Sequence, residues 1–184
     1  MNLEMLNTNP AQNSSGGQQP PENRQPVCIK KILAPLDFSK SSEKALRYAS
    51  ALATQFQATL ILVHVVEFSF VGSEFGAVEL SQIEADMREN ARKQLKALEQ
   101  KFVDSRLETK TIIASGRPSI EIIETAKDEA ADLIIIATHG HSSLAHVILG
   151  STVERVVRHA SCPVLVVRET EREFVAIDGP APVA

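Results

Sequence analysis

Tryptophan is absent from this chain of 184 residues, tyrosine occurs once, and aromatic residues together make up 4%. The core must therefore be assembled from Ile, Leu, Val and Ala, which suit parallel strands buried between helices. Cysteine is scarce as well: Cys28 and Cys162 stand far apart, without a C-x-x-C or a metal-ligand spacing. That argues against a disulfide framework and points to a reducing compartment. No apolar run reaches the ~20 residues that a bilayer span needs. The first 26 residues lack the basic and apolar regions of a secretory signal, so a cytoplasmic location is expected. There is no basic stripe either. Lys and Arg number 19 against 23 Asp and Glu, interspersed, for a net charge of −4, and nucleic acid is not an expected partner.

What the chain does contain is an alternation of two periodicities. Residues 1–26 are rich in Asn, Gln, Ser, Gly and Pro and cannot bury enough apolar surface to offset ordering entropy, so a disordered arm is expected there. A flexible tail is expected over residues 169–184, with Phe174, Val175 and Ile177 as its docking candidates. The folded domain then runs over residues 27–168. Within it, residues 29–36, 59–66 (TLILVHVV), 107–114, 133–137 (LIIIA) and 164–167 read as strands. Helical spacing places Leu46, Ala49, Ala53 and Phe56 on one face of a helix over 41–56. It likewise places Ile83, Met87, Ala91, Leu95, Leu98 and Phe102 on one face of a long helix from Leu80, read as cover for the core. A third helix follows Gly116-Arg117-Pro118, since proline is tolerated in a helix's first turn. A fourth spans 151–159. The order βαβαβαβαβ implies a single-domain α/β sandwich, with a mostly parallel sheet and helices on both faces.

Open parallel sheets bind ligands beyond the carboxyl ends of their strands, where strand order reverses. Two segments suit that position: Ala34-Pro35-Leu36-Asp37-Phe38-Ser39, and Ala137-Thr138-His139-Gly140 with Gly150-Ser151 nine residues further on. Gly140 and Gly150 allow either close backbone approach or positive φ. Ser151-Thr152-Val153-Glu154 fits the S-x-x-E capping box and predicts a helix start at Ser151. That helix end is also a ready anion site, unless the Glu154 carboxylate occupies it. Asp37 reads equally as a ligand for a bound molecule and as the cap of a turn. His139 and His141 form an H-x-H pair, but a metal site needs further ligands and none but His146 stands nearby in sequence. His64, inside a strand, reads as a core residue, and Cys162 as a small apolar side chain.

The segments KKILAPLDFSKSSEKAL, LILVHVVE, ASGRPSIEII and above all DLIIIATHGHSSLAHVILGSTVERVVRHASCPVLVV resemble the universal stress protein family, over residues 30–167. The resemblance implies a Rossmann-like, five-stranded parallel sheet in the order 3-2-1-4-5, of the adenine nucleotide alpha hydrolase-like type. ATP-binding members of that family carry G-x2-G-x9-G-[S/T]; here the pattern reads Ala137-x2-Gly140-x9-Gly150-Ser151, with alanine at the first glycine. By the same resemblance Gly140, Gly150 and Ser151 would hold the ribose and phosphates, with His139 and Thr152 completing the nucleotide-binding set. Asp37 would face the ribose or Mg²⁺, Val65 would read adenine through its backbone, and Pro35 and Leu36 would wall the base. The resemblance further implies ATP with Mg²⁺ as ligand and a homodimer formed through strand 164–167. Three functions follow: a nucleotide-binding stress or energy-state regulator, a nucleotide-free dimeric interaction protein, or a slow ATPase or autophosphorylating protein. No Walker A loop and no receiver-type acidic cluster is present to suggest another class.

Overall fold

A computed structural model describes residues 27–67, 77–138, 149–169 and Val175, giving the backbone alone for residues 77–80. Nine elements follow one another: β1 Lys31–Pro35, α1 Lys40–Phe56, β2 Thr59–Val66, α2 Ala77–Phe102, β3 Thr109–Ser115, α3 Pro118–Asp128, β4 Leu133–Ala137, α4 Ser151–His159 and β5 Val164–Val167. The five strands form one parallel sheet in the order β3-β2-β1-β4-β5. Among the described residues, no helix is long and apolar enough to cross a membrane.

Side chains alternate across a strand, and here both faces are apolar, which is why the strands read as continuous hydrophobic runs. Ile32, Ala34, Leu60, Leu62, Ile135 and Ala137 point into one cluster with α1 and α2. Leu33, Ile61, Val63, Ile134 and Ile136 point into the other, with α3 and α4. The sheet is thus the middle layer of three.

The long helix departs from expectation along its length. Ala91 and Leu95 are buried, whereas Ile83 and Met87 remain 42% and 40% exposed. The apolar spacing continues through α2, but only its second half lies on the core. Beyond β5, the nearly buried Lys44 donates from Nζ to the Glu169 carbonyl at 3.0 Å, and Val175 packs against the α1-side cluster. Two points of the expected tail thus meet the body of the domain. Phe174 and Ile177 lie outside the described residues.

Strand register creates the opening that matters. β1 pairs with β4 at Ile32↔Leu133 and Leu33↔Ile134. Further along, Ala34 and Pro35 pair with β2, while Ile135 to Ala137 pair with β5. Pro35 has no N–H to donate. The two central strands thus part company at their carboxyl ends, at the point where strand order reverses.

Candidate functional site

That parting is the mouth of a cavity of about 390 Å³. Pro35, Leu36, Asp37, Val65, Ala137, Gly150, Ser151 and Thr152, all expected at the site from sequence, line it together. His139 and Gly140, together with His141 and most of the phenylalanine-bearing segment before α2, lie outside the described residues.

Each wall has a local cause. After β1 the chain turns through Phe38, whose φ of 67° is left-handed, a conformation costing a non-glycine residue on the order of 1 kcal/mol. Its ring packs on His64 at 4.3 Å. His64 Nδ1 lies 2.8 Å from the Leu36 carbonyl; a carbonyl only accepts, so Nδ1 carries the proton. The Leu36 N–H is held by the Val63 carbonyl at 2.8 Å. These contacts fix the loop that presents Asp37. Asp37 also does the turn-capping work open to it in sequence: its Oδ1 accepts from Ser39 N–H at 3.0 Å and Ser39 Oγ at 2.6 Å. Ser39 is in turn the N-cap of α1, accepting from Ser42 N–H at 3.1 Å. Turn and cavity wall are one structure.

On the opposite side, Gly150 N–H donates to the Thr138 carbonyl at 3.0 Å. A Cβ built on Gly150 would stand 3.1 Å from that same oxygen, and its φ is −66°. Glycine is used here for close approach, not for positive φ. The expected capping box does not form. α4 does begin at Ser151, but its N-cap is Gly150, which makes no side-chain hydrogen bond. Ser151 is therefore already helical, one position too late to cap. Glu154 turns away and pairs with Arg158, at 3.1 Å to Nε and 2.9 Å to Nη2. The first-turn N–H groups of Ser151, Thr152 and Val153 have no intrahelical acceptor. They face the cavity end with the positive end of the helix dipole.

Ala137 sits in regular strand, paired with Val167, and is absent from the residues with positive φ. Alanine is unstrained there, and its methyl group belongs to the α1-side cluster.

Thr138, from the segment expected there, also lines the cavity, as do residues the sequence did not assign to the site: Val63, His64, Ile122, Ile136 and Val153, with Glu67 and Pro118. His64 is half-buried on the wall, not enclosed in the core. The signal available for it was position, a polar residue near the carboxyl end of an otherwise apolar strand. Cys162 is part-buried; desolvation, and then the Asp132 carboxylate, push its thiol up, leaving it protonated and unreactive at neutral pH.

The architecture is thus an open parallel α/β sheet with a ligand-sized crevice at its switch point, walled by apolar side chains with a helix N-terminus at one end. Comparison with known proteins makes the assignment specific. The model of the universal stress protein family matches residues 29–168, and the chain belongs to that family. Universal stress protein MJ0577 of Methanocaldococcus jannaschii is 33% identical over 156 residues, covering 77% of this chain and 96% of that protein. The solved structure of MJ0577 superposes with a TM-score of 0.68 at 34% identity, covering 79% of this chain and 100% of that one. UspA from Lactobacillus plantarum gives a TM-score of 0.65 at 30% identity, covering 78% and 100%. A universal stress protein solved in complex with cAMP gives 0.50 at 26% identity, covering 77% and 98%.

Proposed function

We propose that this universal stress protein binds an adenine nucleotide, ATP with Mg²⁺, in the crevice between β1 and β4, as a cytoplasmic stress or energy-state regulator and not as a rapid catalyst. One observation carries the reading: the first-turn N–H groups of α4, which have no intrahelical acceptor, lie at the same cavity as a set of apolar walls. Pro35, Leu36, Val63, Val65, Ile122 and Ile136 offer an apolar slot for the base. Ser151 and Thr152, at the α4 N-terminus, suit phosphate. His139 and Gly140 complete this set by family resemblance.

Among the described residues no group of three His, Cys, Asp or Glu side chains could hold a metal ion. Mg²⁺ commonly binds through one or two carboxylates together with substrate phosphates. Asp37 fits that part, and the phosphates would supply the other ligands. The relative solved with cAMP supports an adenine ligand for the fold.

Titration calorimetry of nucleotide-stripped protein tests the reading. One ATP per chain is expected in the presence of Mg²⁺, with GTP at least about tenfold weaker, a difference of 1.4 kcal/mol. Equal affinity for GTP would remove the adenine assignment.

Among the described residues β5 ends the sheet, with Val164, Leu165 and Val166 half-buried and no further strand paired along its outer edge. Apolar edges invite pairing with another strand. The proposal includes a homodimer through this edge. Light scattering at micromolar concentration should give twice the chain mass; the mass of one chain would overturn it.

A further inference from the structure

The crevice does not end at the α4 N-terminus. A second, more polar cavity of about 760 Å³ opens beside it and shares Glu67, Pro118, Ser151 and Thr152 with the first. Its remaining wall is Arg117, Ser119, Glu154, Arg155, Arg158 and His159. Ser151, Arg155 and Arg158 stand at i, i+4 and i+7 on α4 and so share one face. At 1.5 Å per residue the groove follows about 10 Å of that helix. Arg117 comes from the other wall, as the extended N-cap residue of α3, which packs against α4.

The charges in this groove are not evenly matched. Glu154 and Arg158 satisfy each other through the pair already described. The guanidinium groups of Arg117 and Arg155 are exposed and have no hydrogen-bond or ion-pair partner among the described residues. Glu67, exposed at the rim, pairs with neither. Two uncompensated guanidinium groups thus flank one groove, in a chain whose net charge is −4. A guanidinium fork matches phosphate oxygens in geometry as well as charge.

We infer that this groove holds the part of the ligand beyond the phosphate seated at the α4 N-terminus: an anionic extension, made of further phosphates or of a second nucleotide joined through them. The inference rests on the nucleotide reading of the first cavity. A monophosphate held at Ser151 and Thr152 leaves Arg117 and Arg155 unmet. A longer chain reaches both, so the site selects ligands by the length of their phosphate chain.

The test compares AMP, ATP, adenosine tetraphosphate and diadenosine tetraphosphate by calorimetry on the full chain and on Arg117→Ala/Arg155→Ala. Both arginines are exposed, and an unchanged melting temperature establishes that the double variant is folded. The full chain should bind at least one tetraphosphate roughly tenfold tighter than ATP, the scale of a charge-assisted hydrogen bond to phosphate. The variant should lose that increment and keep its affinity for AMP. A gain for both tetraphosphates supports further phosphates as the occupant; a gain for the dinucleotide alone supports a second nucleotide. Tetraphosphates no tighter than ATP, or a variant that weakens AMP equally, would overturn the inference while leaving the first cavity's assignment standing. Failure of all four ligands to bind would remove the nucleotide reading itself, and this inference with it.

Discussion

Nucleotide-stripped protein mixed with Mg-ATP should melt roughly 5–10 °C higher than the same protein alone. A ligand present at ~100 times its Kd, binding the native state only, adds about 2.7 kcal/mol to stability. Each kcal/mol moves the midpoint of a domain this size by about 2–4 °C. Under this proposal the binding energy would have two sources: burial of the base against Pro35, Leu36, Val65 and Ile136, and phosphate contact with the α4 N-terminus. Alanine at the first motif position is the apparent obstacle. Ala137 nevertheless lies in regular strand with its methyl group in the α1-side cluster, so neither positive φ nor backbone strain opposes binding. AMP should stabilise less than ATP, and GTP least. No shift at millimolar ATP would contradict this account and favour the nucleotide-free interaction protein.

Leu62→Ala should cost about 3 kcal/mol, within the usual range for emptying a fully buried leucine site. Leu62 is 0% exposed, is flanked in register by Ala34 and Thr111, and lies in the cluster beneath α1. β2 is hydrogen-bonded on both sides, to β1 and to β3, and cannot collapse far into the void, so the cavity penalty persists. In urea the midpoint should fall with an unchanged slope. A cost under about 1 kcal/mol would mean that β2 is not held rigidly between β1 and β3. The substitution leaves Val63 and Val65 on the cavity wall, so Mg-ATP should still raise the lowered melting temperature by a similar amount.

Much of this fold is legible in the sequence because its strands are buried on both faces. TLILVHVV and LIIIA are strands at the bounds expected, as are α4 and β5. β3 begins at Thr109, two residues late, because Leu107 N–H closes a turn onto the Asp104 carbonyl at 2.9 Å. The start of α2 at Ala77 precedes the apolar repeat that marks the helix. Periodicity also overstates how much of α2 is covered, since it records a face and not what lies opposite it.

The site divides along the same line. Asp37, Gly150 and Ser151 could be placed because each lies where an element ends or begins at the carboxyl edge of the sheet, whereas Val65 rested on the family resemblance alone. Pro118 and Ile122 could not, because they reach the cavity only through the docking of α3 beside α4. The capping box gave the right helix start for the wrong reason: Gly150 caps, the serine is already inside the helix, and the glutamate pairs one turn further on. Nothing local to that motif distinguishes the two arrangements; the close approach of Gly150 to Thr138 does.

Where the nucleotide sits is best read from amide chemical shifts of labelled protein titrated with Mg-ATP. The account predicts the largest changes at Asp37, Val65, Gly150, Ser151 and Thr152, with β3 and the outer face of α2 unmoved. Saturable changes centred elsewhere, or none at millimolar ATP, would contradict it.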